Sequence, residues 1–149
     1  MIQIERLVKR FGGLAAVDGL DLTVERGEIF ALLGPTGAGK TTTVKILTGL
    51  LRPTSGRVRV AGVDVERDPL EAKRRMGLVP DEPFVYPKLT GVEFLRFIGD
   101  LYGLPIETQR RRVPELLEMF ELRDFGGELT ESYSHGMRQK LVLAAAILH

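Results

Sequence analysis

The chain has 149 residues, 44% of them hydrophobic and 28% charged, and a formal net charge of +1. This balance is ordinary for one globular domain with a real core, and the near-zero charge gives no electrostatic reason to expect nucleic acid as a partner. The lack of cysteine excludes disulfides and Cys-ligated metals and suits a cytosolic protein. The longest apolar run, Leu141–Leu148, is far shorter than the ~20 residues of a membrane span, so any membrane link is expected to go through a partner.

Four short strands with alternating apolar residues are predicted in the first half of the chain. Alternating apolar residues indicate strands at Met1–Val8 and Val17–Val24, and the glycine turn Phe11–Gly13 separates them. The alternation returns at Arg57–Val60 and, after a further glycine, at Val63–Val65. We expect these strands to form an antiparallel subdomain beside a parallel α/β core.

The most informative stretch of the sequence is residues 28–42, which read EIFALLGPTGAGKTT. The apolar run Ile29–Leu33 predicts a buried strand, and the amphipathic pattern after the loop predicts a helix that ends near Gly49. The loop between them has the spacing G-x-x-x-x-G-K-[ST]. This strand–loop–helix context favours phosphate binding over an ordinary glycine-rich β–α turn.

The loop carries the residue types that phosphate binding needs. Gly34 and Gly39 allow backbone conformations that gather N–H donors into a nest, and the dipole of the following helix adds to their effect. We expect Lys40 to reach the β- and γ-phosphates of a nucleotide, and the hydroxyl of Thr41 to ligate Mg²⁺.

Helical patterns dominate the second half of the chain. Thr90–Glu93 is a capping box that opens a helix through Leu101, and a second helix is expected with Pro114 in its first turn. Residues 88–125 are therefore predicted as a helical insertion. Within it, Arg110–Arg112 is interpreted as a solvated helix face rather than a phosphate patch.

Shorter patterns lie on either side of this insertion. Leu70–Arg75 predicts a short helix, and Met76–Val79 predicts a short apolar strand. After the insertion, Ser134 is a good N-cap, and Met137–Leu148 predicts a continuous helix that runs into His149 without a stop signal.

In this order, the motifs resemble the nucleotide-binding subunit of ABC transporters over the whole chain. Gly34–Thr42 matches the Walker A loop. Tyr133–Met137 resembles the family signature, usually Leu-Ser-Gly-Gly-Gln, in a Tyr-Ser-x-Gly-Met form similar to that of ABC-2 and bacterial Ecs-type exporters. Phe11 lies where the family places an aromatic residue that stacks on adenine, and Asp81 occupies the Q-loop position, where the family usually has Gln.

The resemblance implies an α/β fold, in which a P-loop NTPase core carries an antiparallel β subdomain and a helical insertion and is incomplete at its C-terminus. Residues 1–149 would be the N-terminal part of an ABC ATP-binding domain. Within it, the resemblance implies a β/P-loop core at 1–87, a helical subdomain at 88–132, and the signature with its helix at 133–149.

The resemblance also implies ATP and Mg²⁺ as cofactors and assigns residues to them. The implied nucleotide-binding residues are Phe11, Gly34, Pro35, Thr36, Gly37, Ala38, Gly39, Lys40, Thr41 and Thr42. Those that would meet the γ-phosphate of ATP on the opposite subunit are Ser134, His135, Gly136 and Met137, and the implied metal ligands are Thr41 and Asp81. Simpler interpretations remain: Phe11 as a core aromatic, Ser134 as an N-cap alone, and His135 as a residue that points to solvent.

The implied function is that of an ATPase subunit that couples ATP binding and hydrolysis to transmembrane transport. Its implied partners are a transmembrane permease subunit, docked near Asp81–Leu89, and a second ATP-binding subunit in a homo- or heterodimer, with no nucleic acid. Such a subunit is cytoplasmic and peripheral on the inner face of the cell membrane. A P-loop kinase or GTPase is disfavoured, because it leaves the signature at 133–137 unexplained.

One departure from the family pattern leaves an alternative open. The sequence stops at His149, before the place of Walker B and the catalytic Glu, so we expect either a fragment of a longer protein or a chain that a partner completes. Leu78–Pro83 mimics Walker B, but Pro80 interrupts its apolar run and the string precedes the signature. The alternative function is therefore a truncated, non-hydrolytic nucleotide-binding module that regulates a full-length partner.

Overall fold

The computed structural model describes all 149 residues, which form two compact units, Met1–Met76 and Gly77–His149. The strands are β1 (Ile2–Phe11), β2 (Leu14–Val24), β3 (Ser55–Val60) and β4 (Val63–Asp64). The helices are α1 (Lys40–Leu47), α2 (Pro69–Arg74), α3 (Gly91–Leu101), α4 (Ile106–Met119) and α5 (His135–Ala146), with short 3₁₀ turns at Arg123–Phe125 and Thr130–Ser132. None of these helices has the length and apolar character needed to cross a bilayer.

The first unit is a four-stranded antiparallel sheet in the order β2-β1-β3-β4. Ile4 pairs with Leu22 on one side and with Val58 on the other. Ile4 and Val58 are buried in one apolar cluster with Ile46 of α1, so the helix that follows the glycine loop covers the sheet. The predicted antiparallel subdomain is confirmed, and both hairpin strands are longer than the alternation indicated.

The two strands predicted for a parallel core are wrong for this structure. Ile29–Leu33 has no regular secondary structure, and Ile29 is 98% and Leu33 87% exposed. Met76–Val79 is likewise not a strand. Neither segment is part of the four-stranded sheet, and a strand needs a hydrogen-bonded ladder to satisfy its N–H and C=O groups. Apolar composition alone is therefore not enough to make these two segments strands.

The second unit is helical, as predicted. The capping box at the start of α3 is confirmed: Thr90 N–H donates to Glu93 at 2.8 Å, and Glu93 N–H donates to the Thr90 hydroxyl at 3.2 Å. Helices α3, α4 and α5 share one apolar core, which includes the fully buried Leu95 and Leu141. The division of the chain at residues 87 and 132 stays a prediction.

Two predicted details of the helices are wrong. Pro114 lies in the interior of α4 rather than in its first turn, and it removes one N–H from the ladder of that helix. Helix α5 ends at Ala146, with Ile147 as its C-cap, so it does not run through to Leu148. The arginine run is largely solvated, as expected: Arg110 pairs with Glu107 of the same helix.

Candidate functional site

The glycine loop leads into a helix whose N-terminus has no side-chain cap. The N-cap of α1 is Gly39, in a left-handed conformation with φ of 83°, whereas α2, α3 and α5 are capped by Asp68, Thr90 and Ser134. The first bond of the α1 ladder runs from the Thr43 N–H to the Gly39 carbonyl at 2.8 Å. The N–H groups of Lys40, Thr41 and Thr42 therefore have no partner in the helix ladder and remain available to an anion, aided by the helix dipole.

The predicted lysine folds back over this loop. Lys40 Nζ donates to the carbonyl oxygens of Gly34 and Pro35, each at 2.7 Å. A turn bond from Ala38 N–H to the Pro35 carbonyl, at 3.2 Å, closes the loop beneath it. The ammonium group therefore lies at the mouth of the loop, where the carbonyl oxygens hold the charge that would meet a phosphate.

Gly39 is required by both conformation and space. Besides its positive φ, a Cβ at this position would overlap the carbonyl oxygen of Ala16 and press on Val17. The end of the loop is thus packed directly against β2. Gly37 is also left-handed, with φ of 85°, but its surroundings are open. The loop accordingly needs glycine at 39 for close approach and at 37 for the turn.

Phe11 lies at the end of β1 near the same helix terminus. Its ring is 50% exposed, and Lys9 Nζ is 5.0 Å from the ring centroid. Lys9 pairs with Val17 across the hairpin, one residue from the Ala16 carbonyl that Gly39 contacts. Because residues two apart on a strand are separated by about 7 Å, Phe11 lies within the length of a nucleotide from the loop. The ring is not a core aromatic.

The hydroxyl residues after Lys40 have different surroundings. Thr41 is exposed at the first turn of α1, and Thr42 is partly buried. Thr43, which the sequence did not single out, is buried and donates its hydroxyl proton to the Gly39 carbonyl at 2.9 Å. This bond ties the end of the glycine loop to α1. Only its burial distinguishes Thr43 from Thr41 and Thr42.

The signature residues stand at the start of α5. Ser134 is the N-cap, and its hydroxyl oxygen accepts from the Met137 N–H at 3.3 Å. Ser134, His135 and Gly136 are exposed, whereas Met137 is partly buried against the helical core. Ser134 therefore acts as a cap, and its accessible hydroxyl leaves the second predicted role open to it.

Tyr133, the residue before this serine, is held in place by its side chain. Its ring is buried, and its hydroxyl donates to the Phe125 carbonyl at 2.7 Å. Burial, and to a smaller extent the charge of Glu128, raises the pKa of Tyr133 above the usual range of a phenol. The hydroxyl therefore stays protonated as a donor at physiological pH, which fixes the backbone that enters the signature.

Asp81 is exposed and precedes an open groove in the second unit. The groove is about 470 Å³ in volume, and its lining includes Pro83, Phe84 and Val85 together with Glu82, Glu131, His135 and Arg138. Phe84 and Tyr86 meet edge to face at 5.4 Å, and Tyr86 meets Phe97 of α3 at 5.2 Å. The groove thus has one exposed aromatic side chain, Phe84, in its lining, together with charged side chains of both signs.

These features place the chain in the class of mixed α/β proteins with a glycine-rich phosphate-loop motif. Residues 17–149 match the family model described as ABC transporter. The chain therefore belongs to the ABC transporter family, which confirms the resemblance.

The chain is similar to several curated ATP-binding proteins. It is 43% identical over 147 residues to daunorubicin resistance ATP-binding protein DrrA3 of Streptomyces coeruleorubidus, covering 99% of this chain and 46% of that protein. It is 37% identical over 149 residues to linearmycin resistance ATP-binding protein LnrL of Bacillus subtilis (strain 168), covering 100% of this chain and 48% of that protein. The chain thus spans about half the length of these relatives.

The chain is also similar to solved structures of ATP-binding proteins. An ATP-binding subunit of an ABC transporter matches with a TM-score of 0.91 and 32% identity, covering 99% of this chain and 62% of that one. The dimeric ATP-binding cassette MJ0796, in a post-hydrolysis state with ADP and Pi, matches with a TM-score of 0.83 and 25% identity, covering 99% of this chain and 69% of that one. The predicted mixed α/β fold is confirmed.

Proposed function

We propose that the protein is an ATP-binding subunit that couples ATP binding and hydrolysis to export across a membrane. The observation that carries this proposal is the uncapped N-terminus of α1, with the ammonium of Lys40 held over the glycine loop that precedes it. An anion with several oxygens matches these donors. The relatives DrrA3 and LnrL are named as resistance ATP-binding proteins, which suggests export as the direction of transport.

The loop residues would hold the triphosphate of ATP. The free backbone N–H groups of the loop and of the first turn of α1 would converge on the phosphate oxygens, and Lys40 would leave its two carbonyl partners to pair with the β- and γ-phosphates. Thr41 would ligate Mg²⁺ together with the phosphates, and Asp81 is the proposed second protein ligand. When bound, Mg²⁺ would neutralise the negative charge that develops in phosphoryl transfer.

Phe11 would bind the other end of the nucleotide. Its half-exposed ring lies near the helix terminus that receives the phosphates, because Gly39 packs against Ala16 in the strand opposite. An adenine stacked on this ring gains apolar contact area and a favourable ring geometry. The two ends of the site would thus recognise the base and the phosphates separately.

A second ATP-binding subunit would complete the site. Ser134 and Gly136 are exposed at the N-terminus of a helix, where the hydroxyl and the amides suit a phosphate oxygen. We propose that they, with His135 and Met137, meet the γ-phosphate of ATP on the opposite subunit. The dimeric state of the similar cassette supports this arrangement.

The groove beside Phe84 would receive the permease. Its exposed Phe84 and the charged side chains of Glu131 and Arg138 suit a short segment with apolar and polar side chains. A subunit bound in this way would be peripheral on the cytoplasmic face of the membrane. The first turn of the signature helix lies in the same groove, so the bound segment would touch the signature directly.

The group that orients the attacking water is not assigned to a residue of this chain. We propose that it lies in the additional length by which the relatives exceed the chain. We therefore expect residues 1–149 to bind ATP weakly and to hydrolyse it negligibly. A turnover rate equal to that of an intact ABC subunit would contradict this expectation.

The proposal is tested by titrating the protein with a fluorescent N-methylanthraniloyl ATP. Lys40→Met should weaken binding at least about 10-fold, since it removes a charge-assisted contact worth more than 1 kcal/mol. Lys45→Met, in the last turn of the same helix, is the matched control and should bind as the wild type does. Equal affinities for all three proteins would overturn the proposal.

A further inference from the structure

Lys9 is held between a backbone oxygen and an aromatic ring. Its Nζ donates to the Arg52 carbonyl at 2.9 Å and lies 5.0 Å from the centroid of Phe11, over one face of the ring. Lys9 itself is only partly exposed, whereas half of the Phe11 side chain is open to solvent. One face of Phe11 is therefore covered by a cation that the Arg52 carbonyl holds, and about half of the residue stays open to solvent.

We propose that Lys9 is a positioning residue for nucleotide binding, which holds the Phe11 ring so that its open face is presented to the base. This inference rests on the proposed function, since it concerns the same site. It assigns a role to a residue outside the glycine loop and the signature. The ligand class is a purine nucleotide whose base stacks on Phe11.

The physical reason is the conformational freedom of the hairpin end. Phe11 is the last residue of β1 and is followed by the left-handed Gly12, so an unsupported ring would sample several rotamers. Ordering such a side chain on binding costs free energy, and a group that orders it beforehand increases affinity. A cation over an exposed ring supplies this restraint.

The Arg52 carbonyl makes the restraint effective. A free lysine side chain would lose its own rotamer entropy on reaching the ring, but here the hydrogen bond to residue 52 already holds the ammonium group. Two neighbouring bonds, Arg10 N–H to the Thr54 hydroxyl and Thr54 N–H to the Val8 carbonyl, fix residues 52–54 against β1 independently of Lys9. Replacing Lys9 should therefore leave residues 52–54 in contact with β1.

The test separates base stacking from phosphate binding. The dissociation constants of ATP and of inorganic tripolyphosphate, which has no base, are measured by competition against the fluorescent nucleotide. Lys9→Met should weaken ATP binding about threefold, the range of an exposed cation–π contact, and leave tripolyphosphate binding unchanged. Lys9→Arg, which keeps the cation, should restore the affinity for ATP.

A double-mutant cycle completes the experiment. In the Phe11→Ala background, Lys9→Met should cause no further loss of ATP affinity, because the ring on which it acts is gone. Unchanged ATP binding in Lys9→Met, an equal loss for tripolyphosphate, or additive losses in the double variant would each overturn the inference. If instead Lys40→Met binds both ligands as the wild type does, the proposed function itself has failed.

Discussion

The phenol oxygen of Tyr133 lies against the backbone of Gly91, in the space that a Cβ at position 91 would occupy. The same oxygen donates to the Phe125 carbonyl. The tyrosine that precedes Ser134 is thus fitted to the first residue of α3, and its position depends on a glycine there.

Gly91→Ala should destabilise the protein by roughly 1–3 kcal/mol, because overpacking either displaces the Tyr133 ring or breaks its hydrogen bond. The measurement is the free energy of unfolding in urea. Gly127→Ala is the matched control, because a Cβ there meets nothing within 4 Å. Equal stability of the two variants would show that the second unit absorbs the extra methyl group.

Glu93 should make stability depend on acidic pH. The backbone N–H of Thr90, then its hydroxyl, lowers the pKa of Glu93 below the usual range. A carboxyl whose pKa is lower in the folded chain adds stability above its unfolded pKa, and this stability is lost as the pH falls below about 4.

Glu93→Gln keeps an oxygen that can accept the Thr90 N–H but removes the titration. Between about pH 6 and pH 3, its free energy of unfolding should therefore fall less steeply than that of the wild type. Glu115→Gln, at an exposed position of α4 outside any cap, is the control and should follow the wild-type curve more closely. Parallel curves for wild type and Glu93→Gln would refute the role of the capping box.

Gly39→Ala should damage both the first unit and nucleotide binding. The left-handed φ costs about 1–2 kcal/mol for a residue with a Cβ, and overlap with the Ala16 carbonyl adds strain. Unfolding in urea and titration with ATP are the measurements. Gly13→Ala, which has open space and no left-handed φ, should keep wild-type stability; a Gly39→Ala protein as stable as this control would contradict the prediction.

Arg112 should stabilise the end of the signature helix. Its guanidinium donates to the carbonyls of Ile147, at 2.6 Å, and Leu148, at 2.8 Å, which follow the last turn of α5. Arg112→Met should cost roughly 1–3 kcal/mol in urea unfolding, since it leaves two carbonyls without a charged donor.

Two variants control this experiment. Arg112→Lys should recover part of the loss, because one ammonium group replaces a two-pronged donor. Arg111→Met should cost less than about 0.5 kcal/mol, since Arg111 makes only an exposed ion pair with Glu115 at 3.6 Å. Equal losses at positions 111 and 112 would show that the carbonyl contacts add no stability.

Local chemistry explains which predictions succeeded. The capping box at Thr90 and the N-cap at Ser134 were predictable because a side chain and a nearby N–H complete each of them within one turn. The glycine loop was recognisable for the same reason, since its nest is built from consecutive residues. The roles of Lys9 and Thr43 were not predictable from the sequence. The contacts of Lys9 depend on strand pairing, and that of Thr43 depends on burial.

The sequence by itself determined the local elements of this protein: the loop with its helix, the caps, and the order of motifs that marks the ABC transporter family. Only the tertiary structure decided which apolar runs become strands, since Ile29–Leu33 has the composition of a strand but is not part of the sheet. It also decided that Gly39 meets Ala16 and that Gly91 receives Tyr133. Ladder hydrogen bonds and close packing both require a second segment, distant in sequence, whose position no local pattern contains.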